Sequence, residues 1–259
     1  MIYERIYLRD NNNVYLNTYI IDDPMELNRK KPVVVICPGG GYEFCSPREA
    51  EPIALAFNAA GYHAVVLYYS LKQLLPASLK DLSDAVCLLR DNSEQWRIDK
   101  DKVVVCGFSA GGHLAASLGV LWNSELAIQR EDDKNKPNGL ILAYPVITSG
   151  EYRHAGSIEN ITNNDKALMD KVSLEKHVTS DCPPAFIWHT FTDELVPVEN
   201  SIYFAAALVE KKVSTELHIF PGGPHGLSVA NEWVAEQPSG IVPEVQPWIN
   251  MAIRWISKL

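Results

Sequence analysis

A serine set between glycines at a strand-to-helix junction constrains this chain more than any other feature. The apolar run Val103-Val104-Val105-Cys106 leads into Gly107-Phe108-Ser109-Ala110-Gly111, and Leu114, Leu118 and Leu121 then recur at helical spacing. A strand that turns at once into a helix crowds two backbones around the turn, so the residues two before and two after the serine must lack bulk. Gly107 and Gly111 meet that demand. The turn lifts the Ser109 hydroxyl clear of the sheet, and the amides after it open a helix N-terminus, where negative charge is favoured. One short segment thus predicts a nucleophile together with part of an anion site. Glycines also mark ordinary strand-to-helix turns, and Gly107 and Gly112 have P-loop spacing. His113 and Leu114, however, stand where a P-loop needs Lys and Ser or Thr, so that reading fails.

Short apolar runs alternate with amphipathic segments over most of the length, the pattern of βαβ units and a mainly parallel sheet with helices on both faces. The strands expected are Val33–Cys37, Ala64–Tyr69, Val103–Cys106, Leu140–Tyr144, Ala185–His189 and Glu216–Phe220. Arg5–Leu8 and Val14–Ile20, around Asn11-Asn12-Asn13, add an antiparallel N-terminal hairpin, which brings the sheet to about eight strands. Helices are expected over Ala77–Glu94, Gly111–Trp122, Val198–Lys211 and Trp248–Ser257. A further one has Ser46 as N-cap, Pro47 at its first position, Glu49 closing a capping box and Gly61 as its stop. The polar stretch 147–181 breaks the rhythm and is expected to form loops and short helices over the carboxyl edge of the sheet, where open α/β sheets bind ligands. A solvated excursion without a role would read the same way. With 259 residues, 47% of them hydrophobic, the whole of 1–259 is expected to form one domain carrying this insertion.

A net charge of −9 with scattered basic residues argues against a nucleic-acid partner. Met1-Ile2-Tyr3-Glu4-Arg5 has no charged leader with an apolar segment behind it, and no later run reaches the length of a membrane span. Five cysteines without a CxxC pair suit free thiols in a reducing compartment, and Cys37 and Cys106 end apolar runs as core residues do. The expectation is therefore a cytoplasmic protein without a membrane contact.

Serine is a weak nucleophile near neutral pH; it needs a base and a third group that holds the base in the productive tautomer. Asp193 follows the strand Ala185–His189, and His225 follows Glu216–Phe220 inside Pro221-Gly222-Gly223-Pro224-His225-Gly226. Both positions lie at the edge that displays Ser109, in the order Ser, Asp, His. Glu194 beside Asp193, and more remotely Asp181, are alternatives for the acid, whereas His113 and His189 read as structural or pocket-lining. After Val33–Cys37, the loop Pro38-Gly39-Gly40-Gly41-Tyr42 leaves bare amides that, with Ala110, can surround an oxyanion. Phe44 occupies the place of the third glycine in a dinucleotide fingerprint, which excludes that use. Tyr42, Cys45, Tyr152 and His154 are candidates for the pocket wall.

These segments together resemble the α/β-hydrolase superfamily, near the hormone-sensitive-lipase-like and the acetyl-xylan or feruloyl-type esterases. Pro38-Gly39-Gly40-Gly41-Tyr42 is similar to the family's His-Gly-Gly-Gly loop with proline in place of histidine, as in the carbohydrate-esterase branch. Leu67-Tyr68-Tyr69-Ser70-Leu71 with Pro76-Ala77 and Asp81, then Pro183-Pro184-Ala185-Phe186, Asp193, Val196-Pro197, Ser201 and His225-Gly226, continue the likeness over most of the chain. The resemblance implies the α/β-hydrolase fold and a serine esterase in which Ser109, Asp193 and His225 are catalytic and Gly40, Gly41 and Ala110 hold the oxyanion. It implies no metal or organic cofactor. A short acyl ester, acetyl above all and carried on a sugar or xylo-oligosaccharide, is the substrate it suggests, and a homodimer is the assembly. The alternatives are a prolyl-oligopeptidase-like peptidase, for whose gating domain this chain has no room, and a ligand-binding module that has abandoned catalysis.

Overall fold

The apolar runs that alternate with helices along the chain become strands. They are β1 (Arg5–Tyr7), β2 (Tyr15–Tyr19), β3 (Lys31–Cys37), β4 (His63–Tyr68), β5 (Ile98–Phe108), β6 (Gly139–Ala143), β7 (Ala185–Thr190) and β8 (Thr215–Phe220). All eight join in one sheet in the order β1-β2-β4-β3-β5-β6-β7-β8. The computed structural model describes residues 1–10, 13–22, 25, 28–128 and 133–259; Asn11 and Asn12 of the expected hairpin turn lie outside the described residues. The β1–β2 and β2–β4 pairs are antiparallel, and every pair from β4 to β8 is parallel. This is the expected mainly parallel sheet with an antiparallel N-terminal hairpin. Because β4 pairs to one side of β3 and β5 to the other, the strand order reverses at β3, and a crevice opens beyond its carboxyl end.

Among the described residues, seven α-helices connect the strands: α1 (Glu51–Ala59), α2 (Ala77–Asp91), α3 (Ala110–Leu121), α4 (Ala155–Thr162), α5 (Lys166–Lys171), α6 (Glu199–Glu210) and α7 (Trp248–Ile256). The two-residue period of a strand sends alternate side chains to opposite faces, and here both faces are covered. Val33, Val35 and Val105 pack with Leu82 and Val86 of α2, Leu114 and Leu118 of α3 and Phe204 of α6. Val34, Ile36 and Val104 pack on the other face with Ile53 and Phe57 of α1 and Trp248 and Trp255 of α7. Cys37 and Cys106 are fully buried, and all five cysteines are free thiols. Among the described residues no helix is long and apolar enough to cross a membrane.

Three boundaries differ from the sequence reading by more than two residues. β5 starts at Ile98, five residues early, because the buried Ile98 pairs with Lys31 and the register then shifts before Val103 pairs with Val33, which leaves Lys100 and Asp101 in solvent. α2 stops at Asp91, capped by Asn92. The capping box at Ser46 does not form: Pro47–Glu49 is an isolated 3-10 turn, the Ser46 side chain caps nothing, and α1 begins only at Glu51. The Glu49 carboxylate is directed elsewhere, toward Gly39 and Tyr144. Gly61, with φ near +88°, does end α1. In 147–181, α4 and α5 form with side-chain caps from His154 and Asp165, and Asn160 of α4 donates to the Gly41 carbonyl at 2.9 Å.

Candidate active site

Ser109 occupies the turn between β5 and α3 with φ 51° and ψ −118°, a backbone that side chains seldom adopt. The surroundings hold it there. Its amide donates to the Ala143 carbonyl at 3.0 Å, and its own carbonyl accepts the amides of His113 and Val146, each at 3.0 Å. The need for glycine on either side is steric: a Cβ on Gly107 would overlap the Gly111 carbonyl, and one on Gly111 would overlap the carbonyls of Cys37 and Pro38.

Two distant loops meet the serine. His225 Nε2 lies 2.8 Å from Ser109 Oγ, and His225 Nδ1 lies 2.6 Å from Asp193 Oδ2. Since an ionised carboxylate only accepts, Nδ1 carries the proton, and Nε2 of the neutral ring accepts from the serine hydroxyl. Asp193 is buried, and burial alone would raise its pKa. Hydrogen bonds from His189, His225 and the Val196 amide outweigh burial and hold the carboxyl well below the usual carboxylate range. Leu195 and Val196 amides both donate to Oδ1, at 3.0 and 2.9 Å. Of the other acids considered, Glu194 is exposed and Asp181 is paired with Lys136 at 2.6 Å.

The glycine loop after β3 faces the same hydroxyl. Gly40 and Gly41 have φ of 122° and 66°, and the turn is closed by the Glu43 and Phe44 amides donating to the Gly40 carbonyl. A Cβ on Gly40 would overlap the Phe44 carbonyl. The Gly39 amide is taken by Glu49, whereas among the described residues nothing accepts from the amides of Gly40, Gly41 or Ala110. Gly40 and Gly41 line the same cavity as Ser109, and amides without an acceptor in such a place suit developing negative charge. Together with Phe44, Arg48, Glu49, His154, Leu195 and Gly226, the loop, Ser109 and His225 line a cavity of about 320 Å³. Larger hollows of about 400 and 600 Å³ lie near Arg90 and Pro183 and near Trp255 and Leu259, but no histidine lines either. Size therefore does not mark the site.

Of the four pocket candidates, the structure brings His154 to the cavity. Tyr42 is buried behind the loop with its hydroxyl 2.8 Å from His113 Nδ1, Cys45 lies under the loop, where burial pushes its thiol up to about 12, and Tyr152 packs edge-on against Tyr203. His113 and His189 are structural. His113 Nε2 donates to the Val172 carbonyl at 2.9 Å, and burial pushes its pKa down to about 4 despite that bond. His189 bridges Ser201, 2.8 Å from Nδ1, to Asp193 and the Val196 carbonyl. The sequence reading missed His189 as a support for Asp193, and missed Glu49 and Tyr144 at the site altogether. Glu49 and Tyr144 meet through a hydrogen bond between residues 95 positions apart, which leaves no local pattern, whereas His189 reaches Asp193 from four positions away without a motif to mark it. Among the described residues no group of three or more His, Cys, Asp or Glu is placed to hold a metal ion.

The fold is that of the α/β hydrolases. More narrowly, the chain belongs to the BD-FAE family, whose model matches residues 20–208. It is 42% identical to endo-1,4-beta-xylanase B of Butyrivibrio fibrisolvens over 78% of this chain and 33% of that protein. It is 31% identical to the acetylxylan esterase of Xylanibacter ruminicola over 74% of this chain and 40% of that one. The chain thus spans two fifths or less of these curated relatives. Among solved structures, the acetyl ester-xyloside bifunctional hydrolase of Caldicellulosiruptor lactoaceticus superposes with a TM-score of 0.86 at 33% identity, covering 98% of this chain and 96% of that one.

Proposed function

We propose that the chain is a serine carboxylesterase that removes a short acyl group, acetyl foremost, from the hydroxyl of a sugar. The observation that carries this reading is the continuous hydrogen-bonded path from Ser109 Oγ through the His225 ring to Asp193, at a cavity that Gly40 and Gly41 also line. Ser109 Oγ attacks the ester carbonyl carbon while His225 Nε2 takes its proton. The carbonyl oxygen becomes an oxyanion held by the amides of Gly40, Gly41 and Ala110. Collapse expels the alkoxide, which His225 protonates, and water then repeats the sequence on the acyl-enzyme. Asp193 fixes the ring and stabilises its charged form. A cavity of about 320 Å³ has room for an acetyl group together with part of a sugar ring. The sugar alcohol is supported by relatives named for acetylxylan and for an acetyl ester-xyloside activity.

The test is turnover on p-nitrophenyl esters from acetyl to octanoyl, acetylated xylo-oligosaccharides and a prolyl amide, with Ser109→Ala beside the wild type and a fluorophosphonate to label Ser109. Expected are acetyl turnover, a steep loss toward octanoyl and no labelling of the variant. Cleavage of the amide but not the esters would establish a peptidase instead, and a folded wild type that takes no label would establish a binding module.

A further inference from the structure

We propose that Glu49 is a positioning residue that holds the oxyanion loop and the His225 loop in one fixed arrangement, with Tyr144 as its link to the second. The inference rests on the esterase reading above. Glu49 is 2% exposed, yet it lies on the cavity wall and does not serve the helix start where its sequence position would put it. Its two oxygens each take one donor. Oε2 accepts the Gly39 amide at 2.8 Å, immediately before the free amides of Gly40 and Gly41, and Oε1 accepts the Tyr144 hydroxyl at 2.7 Å. There is no slack on the loop side: a Cβ on Gly39 would lie 2.7 Å from Glu49 Oε2 and 2.9 Å from Ser109 Cβ.

Tyr144 carries the constraint across the site. Its oxygen accepts the Ser228 amide at 2.9 Å, three residues beyond His225, and its ring meets the His225 ring edge-on at 5.0 Å between centroids. The Ser228 hydroxyl returns to the starting segment, donating to the Arg48 carbonyl at 2.5 Å. Burial, and after it the Glu49 charge, push the Tyr144 phenol well above its ordinary value, so it stays a donor to the carboxylate. One buried side chain thereby ties the segment carrying Gly40 and Gly41 to the segment carrying His225. Donor placement relative to the oxyanion matters chiefly in the transition state, so loosening this clamp should lower kcat while leaving KM nearly unchanged.

The test compares Glu49→Leu, Glu49→Gln and Tyr144→Phe on p-nitrophenyl acetate, with melting temperatures and the affinity of ethylboronic acid, which forms a tetrahedral adduct on the serine. Leu fills the space but accepts nothing. Gln can turn its oxygen to the Gly39 amide and its N–H to the Tyr144 oxygen, which restores both links. Expected for Glu49→Leu is a fall in kcat of about 10–100-fold with KM within roughly threefold, and a parallel loss of boronate affinity. Glu49→Gln should stay within about fivefold of wild type, and Tyr144→Phe should lose about 3–10-fold in kcat. A folded Glu49→Leu protein with kcat within twofold of wild type, a loss confined to KM, or Gln falling as far as Leu would overturn the proposal. Should Glu49→Leu fail to fold, Tyr144→Phe decides: unchanged kcat overturns it. A wild type that does not turn over the ester, or Ser109→Ala that still does, would overturn the esterase reading itself.

Discussion

His189 Nε2 stands 3.2 Å from the same Asp193 oxygen that lies 2.6 Å from His225, so the carboxylate is gripped on one side and engages the site on the other. With two amides on its second oxygen, Asp193 is surrounded by donors only, an environment that favours its ionised form. Asparagine in its place would present an N–H to His225 Nδ1 and stabilise the ring tautomer whose Nε2 cannot accept the serine proton. Asp193→Asn should therefore lower kcat by on the order of 10⁴-fold with KM little changed, measured on an acetyl ester. A loss under tenfold would show that another group orients the ring.

Acid should destabilise the fold before it protonates most surface carboxylates. Burial pushes both His63 and His113 down to about 4, against 6.5 for a free imidazole. An unfolded chain binds protons at these rings as pH falls below 6.5, while the folded chain does not until about 4, so stability present above 6.5 drains away across that interval. The loss is about 3 kcal/mol per ring by pH 4. Asp193 adds in the same direction only at lower pH, below the ordinary carboxylate range, where an unfolded chain protonates it and the folded chain does not. Urea unfolding at pH 7, 5.5 and 4.5 measures it, and His113→Gln should flatten the slope. A midpoint independent of pH over that range would contradict the buried neutral rings.

The turn around Ser109 makes a steric prediction. In Gly107→Ala the new methyl collides with the Gly111 carbonyl and presses on Ala115, and neither backbone can yield without moving β5 or α3. About 3 kcal/mol or more should be lost, roughly a 10 °C drop in Tm. Gly156→Ala is the control, because its Cβ would meet only His154 Cε1 at 3.7 Å, and alanine suits α4. Equal melting temperatures for the two variants would refute the argument.

Much of this is legible in the sequence, because the signals are local or ordinal. Apolar runs such as Val33–Cys37 and Ala185–His189, alternating with amphipathic segments, read as buried parallel strands, and residues that follow such strands are delivered to one edge, so the order along the chain draws Ser109, Asp193 and His225 together. What stayed hidden depends on partners far away in the chain. Ser46-Pro47-Arg48-Glu49 has the spelling of a capping box, and nothing nearby reveals that Gly39 and Tyr144 compete for the carboxylate and win it. Tyr42 follows the glycines as a wall residue would, yet His113, 71 positions on, draws it inward. The charged run Asp99–Lys102 reads as a loop because it bulges out between the pairs Lys31–Ile98 and Val33–Val103, where burial does not select apolar residues.

His154 caps α4 with a ring nitrogen, and this sets what it can offer a substrate. The Ser157 amide donates to Nδ1 at 3.3 Å, and the Ser157 hydroxyl lies 2.7 Å away, so the neutral ring carries its proton on Nε2. Burial, and next the neighbouring His225, push its pKa below the ordinary value, though Asp193 pulls the other way. The ring is therefore neutral at and above neutral pH and can contribute a hydrogen bond rather than a charge. His154→Leu should raise KM for an acetylated sugar by about tenfold, the worth of one hydrogen bond, with a smaller effect on p-nitrophenyl acetate. The ratio of wild-type to variant kcat/KM should also stay constant from pH 7 to 8.5. If that ratio instead falls as pH rises through this interval, His154 acts as a cation, and the tautomer assigned from Ser157 is wrong.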